Sequence, residues 1–166
     1  MDDDCSRNAL CVDGACHRCD VTDEGDLDSA VHDAKDGEIL YICPGTYAGA
    51  IPFYTSITLI GAGGGEGRND TIIQGGSGGT VLVIFAGTED QPVTLRGLRS
   101  RNANRGILIE SGSHLTMRTC TVAGSTAWAG VVNSGTLVMT GCTVEDNNGP
   151  CILDGGGLTT YEGRRR

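Results

Sequence analysis

One phrase recurs at a fixed interval through the second half of this chain. Val93-Thr94-Leu95-Arg96-Gly97-Leu98 is followed by Leu115-Thr116-Met117-Arg118-Thr119-Cys120 and then by Leu137-Val138-Met139-Thr140-Gly141-Cys142. Leu98, Cys120 and Cys142 stand 22 residues apart at each step, as do Leu95, Met117 and Met139, and a fourth copy begins at Leu158-Thr159-Thr160. Each phrase leads through a polar bend (Asn102-Ala103-Asn104, Gly124-Ser125-Thr126, Asp146-Asn147-Asn148) into a second apolar run. A fixed period of this length marks a solenoid. Within each phrase the apolar residues alternate, which is the period of a strand. At about 3.3 Å per residue such a coil holds two or three short strands, and equivalent residues of successive coils lie about 4.8 Å apart. The chain is therefore expected to be an all-β parallel β-helix of five or six coils. Leu95, Met117 and Met139 should form one buried ladder, with Leu98, Cys120 and Cys142 in a second.

Composition agrees with this and removes several functions. Twenty-seven Gly and 4% aromatics in 166 residues suit closely spaced turns and stacked aliphatics, not a helical bundle. The net charge of −9 argues against nucleic acid, which demands clustered basic charge. No apolar run is long enough to span a bilayer. Met1-Asp2-Asp3-Asp4 is unlike a signal peptide, so the chain is expected to be either cytosolic or a mature or trimmed form with an added Met. Cysteine usage favours the second. Four of eight Cys crowd the start as Cys5, Cys11, Cys16 and Cys19, and small acidic Cys-dense segments are usually disulfide-stapled and extracellular or surface-displayed. A zinc knuckle of Cys16, Cys19 and His17 is the weaker alternative, because only one tight Cys pair is present. No other metal or cofactor is indicated, calcium included.

Residues 1–21 read as a Cys-rich leader with a turn at Asp13-Gly14, and 22–166 as the β-helix. Leu27, Ala30, Val31 and Ala34 form one stripe of a short helix at about 26–36, capped by Thr22 or Asp23 and ended by Gly37. Asp26, Asp28, Asp33 and Asp36 lie off the stripe and are expected to be solvated. Such a helix can plug the first coil, whose bare strand edges otherwise invite stacking with another chain. After Leu158-Thr159-Thr160 no apolar cap follows, so the C-terminal coil is a candidate for end-to-end self-association.

A helix, then Gly37 to Tyr47 ending Pro44-Gly45-Thr46-Tyr47, then Ile57-Thr58-Leu59-Ile60-Gly61 and Thr71-Ile72-Ile73-x-Gly75, resembles the opening of the pectin-lyase-like right-handed β-helix superfamily. The resemblance covers about residues 26–160. It implies a right-handed coil, an N-terminal helical plug and a first coil closed at Pro-Gly-Thr-Tyr, but no particular activity, because lyases, hydrolases, esterases and adhesins share the fold. Cys11-Val12-Asp13-Gly14-Ala15-Cys16 also resembles Cys-rich segments that precede domains of bacterial secreted proteins. The calcium-binding carboxylates of the lyases and the Asn-Thr-Asp, Asp-Asp and Gly-His-Gly motifs of the galacturonan hydrolases are missing from the coils. Asn69-Asp70-Thr71 has the first motif's letters scrambled and reads as a turn. The esterase Glu after the Tyr is replaced by Gly49.

The remaining surface candidates are basic and aromatic. Arg96 and Arg118 should point outward in one column with Arg99 and Arg101 nearby, and two stacked guanidiniums repel unless they share an anion. They could grip the carboxylates of an acidic polysaccharide, or simply face solvent beside acidic neighbours such as Glu110. Trp128 interrupts the coil spacing and is either a packing residue or a sugar platform. Thr94, Thr116 and Thr159 suggest an outward Thr column broken by Val138, the kind of rank seen in ice-binding solenoids. Cys120, Cys142 and Cys151 read as interior thiols, with an inter-coil disulfide open to the first two. Cys43, out of phase with Leu40 and Ile42, is expected to tie the leader to the first coil by pairing with Cys19. The expected function is a secreted or surface-displayed non-catalytic scaffold or binding module, for carbohydrate or another protein. A polysaccharide-active enzyme with a non-standard site and a self-stacking subunit are the alternatives.

Overall fold

The computed structural model describes residues 8–22, 26–76 and 78–165. Chain order begins with a two-stranded antiparallel hairpin, β1 (Ala9–Val12) and β2 (Ala15–Arg18), and the helix α1 (Leu27–Asp33). Six coils follow. The first three hold three strands each: β3 (Ile39–Tyr41), β4 (Gly45–Ala48) and β5 (Ile51–Phe53); β6 (Thr58–Ile60), β7 (Thr71–Gln74) and β8 (Thr80–Ile84); β9 (Val93–Arg96), β10 (Arg99–Arg101) and β11 (Arg105–Ile109). The fourth holds β12 (His114–Arg118), β13 (Thr121–Ala123) and β14 (Val131–Asn133). In the fifth, one long strand β15 (Thr136–Glu145) runs through the first corner before β16 (Ile152–Asp154), and β17 (Leu158–Arg165) starts the sixth.

All pairings between coils are parallel, and they build a three-faced prism. β3, β6, β9, β12, β15 and β17 make the first face; β4, β7, β10, β13 and the later half of β15 make the second; β5, β8, β11, β14 and β16 make the third. The expected parallel β-helix is borne out. Leu95, Met117 and Met139 are direct register partners and fully buried, in a column that continues back to Leu40 and Leu59. Leu98, Cys120 and Cys142 are buried at the head of the second face.

The corners explain why the period is so regular. Gly97, Thr119 and Gly141 have φ of +61°, +50° and +63°, and Asn102, Gly124 and Asp146 have +56°, +66° and +52°. Two left-handed positions thus recur every 22 residues, each bending the ribbon onto the next face. Gly, Asn and Asp tolerate that conformation, whereas β-branched Thr119 does so at a cost.

Several local expectations are corrected. The helix is capped by Asp26, whose carboxylate accepts from the Ser29 amide at 3.2 Å; Thr22 is not the cap, and Asp23 lies outside the described residues. The helix stops at Asp33, and Gly37 (φ +82°) instead makes the turn into β3. Asp36 is not merely solvated, since it accepts from the Ser56 amide at 2.7 Å. The fourth phrase is displaced by one: Thr159 pairs with inward Leu137, Thr160 with outward Val138, and Tyr161 with Met139. The outward column is therefore Thr58, Thr94, Thr116, Val138 and Thr160. Beside it stand Ile60, Arg96, Arg118 and Thr140, so the described residues form no broad flat hydroxyl rank for ice.

The two ends differ. Leu27, Val31 and Ala34 close the first coil over Ile51 and Phe53 as part of one continuous core. Toward the other end a core column that reads Phe53, Ile84 and Ile109 turns polar at Asn133, which is fully buried. Its amide donates to Asp154 at 3.3 Å and Thr159 at 3.0 Å, and its carbonyl accepts from the Gly135 amide at 3.1 Å.

Candidate functional site

The described part of the leader, from Asn8 on, is docked on the first face. Asp13 (φ +51°) and Gly14 (φ +82°) form the two-residue turn between β1 and β2 that a right-handed hairpin twist requires. Leu10 and Val12 bury against Ile60, Tyr41 and Ala62 on the outside of the first face, and the Cys19–Cys43 disulfide (Cα–Cα 5.4 Å) closes the same small cluster. His17 stacks on Tyr41 with ring centroids 4.3 Å apart. Cys16 is disulfide-bonded as well, so neither Cys16 nor Cys19 has a thiolate to give a zinc ion. Cys5 lies outside the described residues.

The hairpin also consumes one of the expected ligand residues. Arg96 and Arg118 are register partners in one outward column. Arg96, however, makes a two-pronged bond to the Asp13 carboxylate, at 2.8 and 2.6 Å. That hydrogen bond holds the Asp13 carboxyl below its usual range and raises Arg96. The anion that pairs Arg96 is supplied from within the chain, by Asp13 and not Glu110, and it is not shared with Arg118. Arg118 lies beyond the hairpin, exposed and without an ion pair among the described residues.

Arg99 and Arg101 belong to the second face. Inward Ser100 is buried between them, so both guanidiniums project outward, under the loop that connects β6 to β7. Arg99 is nonetheless only 7% exposed. It bonds Glu66 at 2.9 Å and Glu145 at 3.4 Å, and its Nε has no partner. Arg101 donates from Nε to Gln74 at 3.1 Å. Glu66, Arg99, Arg101 and Asp146 line a cleft of about 140 Å³. With Glu145 beside it, three carboxylates face two guanidiniums, so an anionic ligand meets net repulsion there. Arg99 is a brace across coils two to five. The Asn69-Asp70-Thr71 segment is structural too: Asp70 accepts from the Gly67 amide at 2.8 Å, and the buried Thr71 hydroxyl reaches the Ile42 and Cys43 carbonyls at 3.2 Å.

Trp128 is the candidate that the geometry sets apart. Ile107 pairs with Val131, two residues beyond the 22-residue step, and the surplus bulges out between β13 and β14. The bulge is pinned where the Trp128 amide donates to the Asn104 carbonyl at 3.0 Å, which leaves the indole half exposed at 52%. The Arg105 guanidinium carbon sits 4.9 Å from the indole centroid, within cation–π range. Gly78, Gly79, Thr80 and Asn104 complete a shallow cleft of about 120 Å³. None of its lining residues is a carboxylate. The indole is thus partly packed, beside Arg105, and partly presented to solvent. Asn104 and Arg105 were missed in the sequence, although aligning Trp128 with the preceding bend brings both beside it.

The interior thiols are sealed. Cys120 and Cys142 are each 1% exposed and not in a disulfide, and burial pushes the Cys120 thiol well up. Bend residues tie successive coils: Asn147 accepts from the Ser125 amide at 2.9 Å and Asn148 donates to the Thr126 carbonyl at 2.9 Å. Among the described residues no group of three or more His, Cys, Asp or Glu is placed to hold a metal ion, and no helix is long and apolar enough to cross a membrane. No family model, curated protein or solved structure matches the chain.

Proposed function

We propose that this protein is a non-catalytic carbohydrate-binding β-helix working outside the cell or at its surface, and that its ligand lies across Trp128 and Arg105. The observation that carries the reading is an exposed indole beside a guanidinium in a cleft lined by no carboxylate, on a chain of net charge −9. A pyranose presents an apolar C–H face that suits an indole, and a uronate carboxylate suits Arg105. The cleft has room for one sugar unit of a chain running along the surface. The Cys19–Cys43 disulfide supports an oxidising compartment. The plug formed by α1 and the first coil through Pro44-Gly45-Thr46-Tyr47 support kinship with the pectin-lyase-like right-handed β-helices.

Trp128 is the only tryptophan, so its emission reports directly on this cleft. Titration with oligogalacturonides and with neutral cello-oligosaccharides should quench or shift that emission. Arg105→Ala should weaken the acidic ligands about tenfold to a hundredfold, the worth of one charge-assisted bond, and spare the neutral ones. Unaltered emission and no heat of binding across an acidic and neutral glycan panel would refute the proposal. Cleavage of those glycans, with or without calcium, would favour the enzymatic alternative.

A further inference from the structure

We propose that the docked hairpin carries a thiol–disulfide exchange site formed by Cys11 and Cys16. The two residues are direct cross-strand partners in β1 and β2. The Asp13-Gly14 turn makes Val12 and Ala15 the hydrogen-bonded pair that flanks it, so Cys11 and Cys16 are the next, non-hydrogen-bonded pair. In such pairs the Cα atoms are about 4.5 Å apart with the side chains close, inside the span that a disulfide bridges. Leu10 and Val12 are buried against the coil, so Cys11 lies on the opposite, solvent-facing side, and Cys16 is exposed with it. Cys11 is a free exposed thiol, whereas Cys16 is already in a disulfide.

A free thiol thus stands opposite a disulfide sulfur on a clamped scaffold. Cys11 Sγ, having lost its proton to water, attacks Cys16 Sγ. The new bond is Cys11–Cys16; the bond that breaks is the one Cys16 now makes, and its other sulfur leaves as a thiolate and takes a proton from water. One S–S bond is lost and one gained, so no outside oxidant is needed. The hairpin holds both sulfurs in place, which makes the step effectively unimolecular. The chain then has two covalent forms, which differ in which sulfur is free.

Tryptic cleavage separates the outcomes, because residues 8–18 form one peptide holding Cys11 and Cys16 alone among the cysteines. Intact, non-reduced protein is held at pH 8 for increasing times, quenched in acid with a maleimide, digested and mapped by mass. The expected course is a growing share of peptide 8–18 with an internal disulfide, two hydrogens lighter than its reduced form. Its form cross-linked through Cys16 should fall in step, while Cys19–Cys43 stays unchanged. Cys11→Ser should abolish the change and leave the cross-linked form constant. A wild-type peptide that remains cross-linked through Cys16 with Cys11 maleimide-labelled at every time point would overturn the proposal. So would scrambling of Cys19–Cys43 at a similar rate, since the exchange would then not belong to this site.

Discussion

Truncating Met117 to Ala tests both the ladder and the one-dimensional character of its energetics. Met117 has no exposed surface and is sandwiched in register between Leu95 and Met139. The substitution removes three heavy atoms from a column whose spacing is set by backbone ladders on all three faces, so the void cannot collapse along the axis. Its cost should fall in the middle of the buried Met-to-Ala range, about 3 kcal/mol. For a chain of this size each kcal/mol moves the melting point by about 2–4 °C, so thermal unfolding followed by far-UV circular dichroism should show a drop of about 6–12 °C. Thr116→Ala, one residue away on the outer surface, should shift stability by less than about 0.5 kcal/mol. Contact along the axis is nearest-neighbour only. Leu95→Ala with Met117→Ala should therefore couple by about 0.5 kcal/mol or more, while Leu95→Ala with Met139→Ala, two coils apart, should be additive. A harmless Met117→Ala, or equal coupling in the two double variants, would refute the stacked-coil account.

Thr119 occupies a left-handed corner that Gly97 and Gly141 fill in the neighbouring coils, so Thr119→Gly should raise stability by about 0.5–1 kcal/mol in a thermal melt. The Asp13 carboxyl is held below its usual range by its bond to Arg96, so its contribution to hairpin docking is complete above the ordinary carboxylate pKa. It drains away as pH falls through the lowered folded value. The difference in denaturation midpoint between the native chain and Asp13→Asn should accordingly close as pH falls below about 4. Native-state alkylation followed by mass mapping should label Cys11 rapidly and reach Cys120 and Cys142 only on unfolding, because those two are 1% exposed. Gly106→Ala should be strongly destabilising by the same melt, since a Cβ there would lie 2.5 Å from both the Gly130 carbonyl oxygen and a methyl of Val122.

The architecture was legible because a solenoid writes its tertiary contacts into its own spacing. Leu95, Met117 and Met139 meet in space for the same reason that they recur in sequence, and the stripe Leu27, Ala30, Val31, Ala34 announces an amphipathic helix by its period. The fourth phrase was misaligned by one residue because Leu158 imitates Leu137, whereas the backbone ladder places it opposite Thr136. Surface chemistry was much less legible. Phase told that Arg96 and Arg118 point outward, but not that Asp13 would pair with Arg96, or that Glu66 would pair with nearby Arg99, since the repeat indexes neither carboxylate. The presented face of Trp128 and its neighbour Arg105 likewise depend on a two-residue bulge that breaks the period. Periodicity encodes what stacks along the axis, where each coil sees a copy of itself. Contacts made by the hairpin, the loops and the bulge join segments with no common period, and only the folded chain decides them.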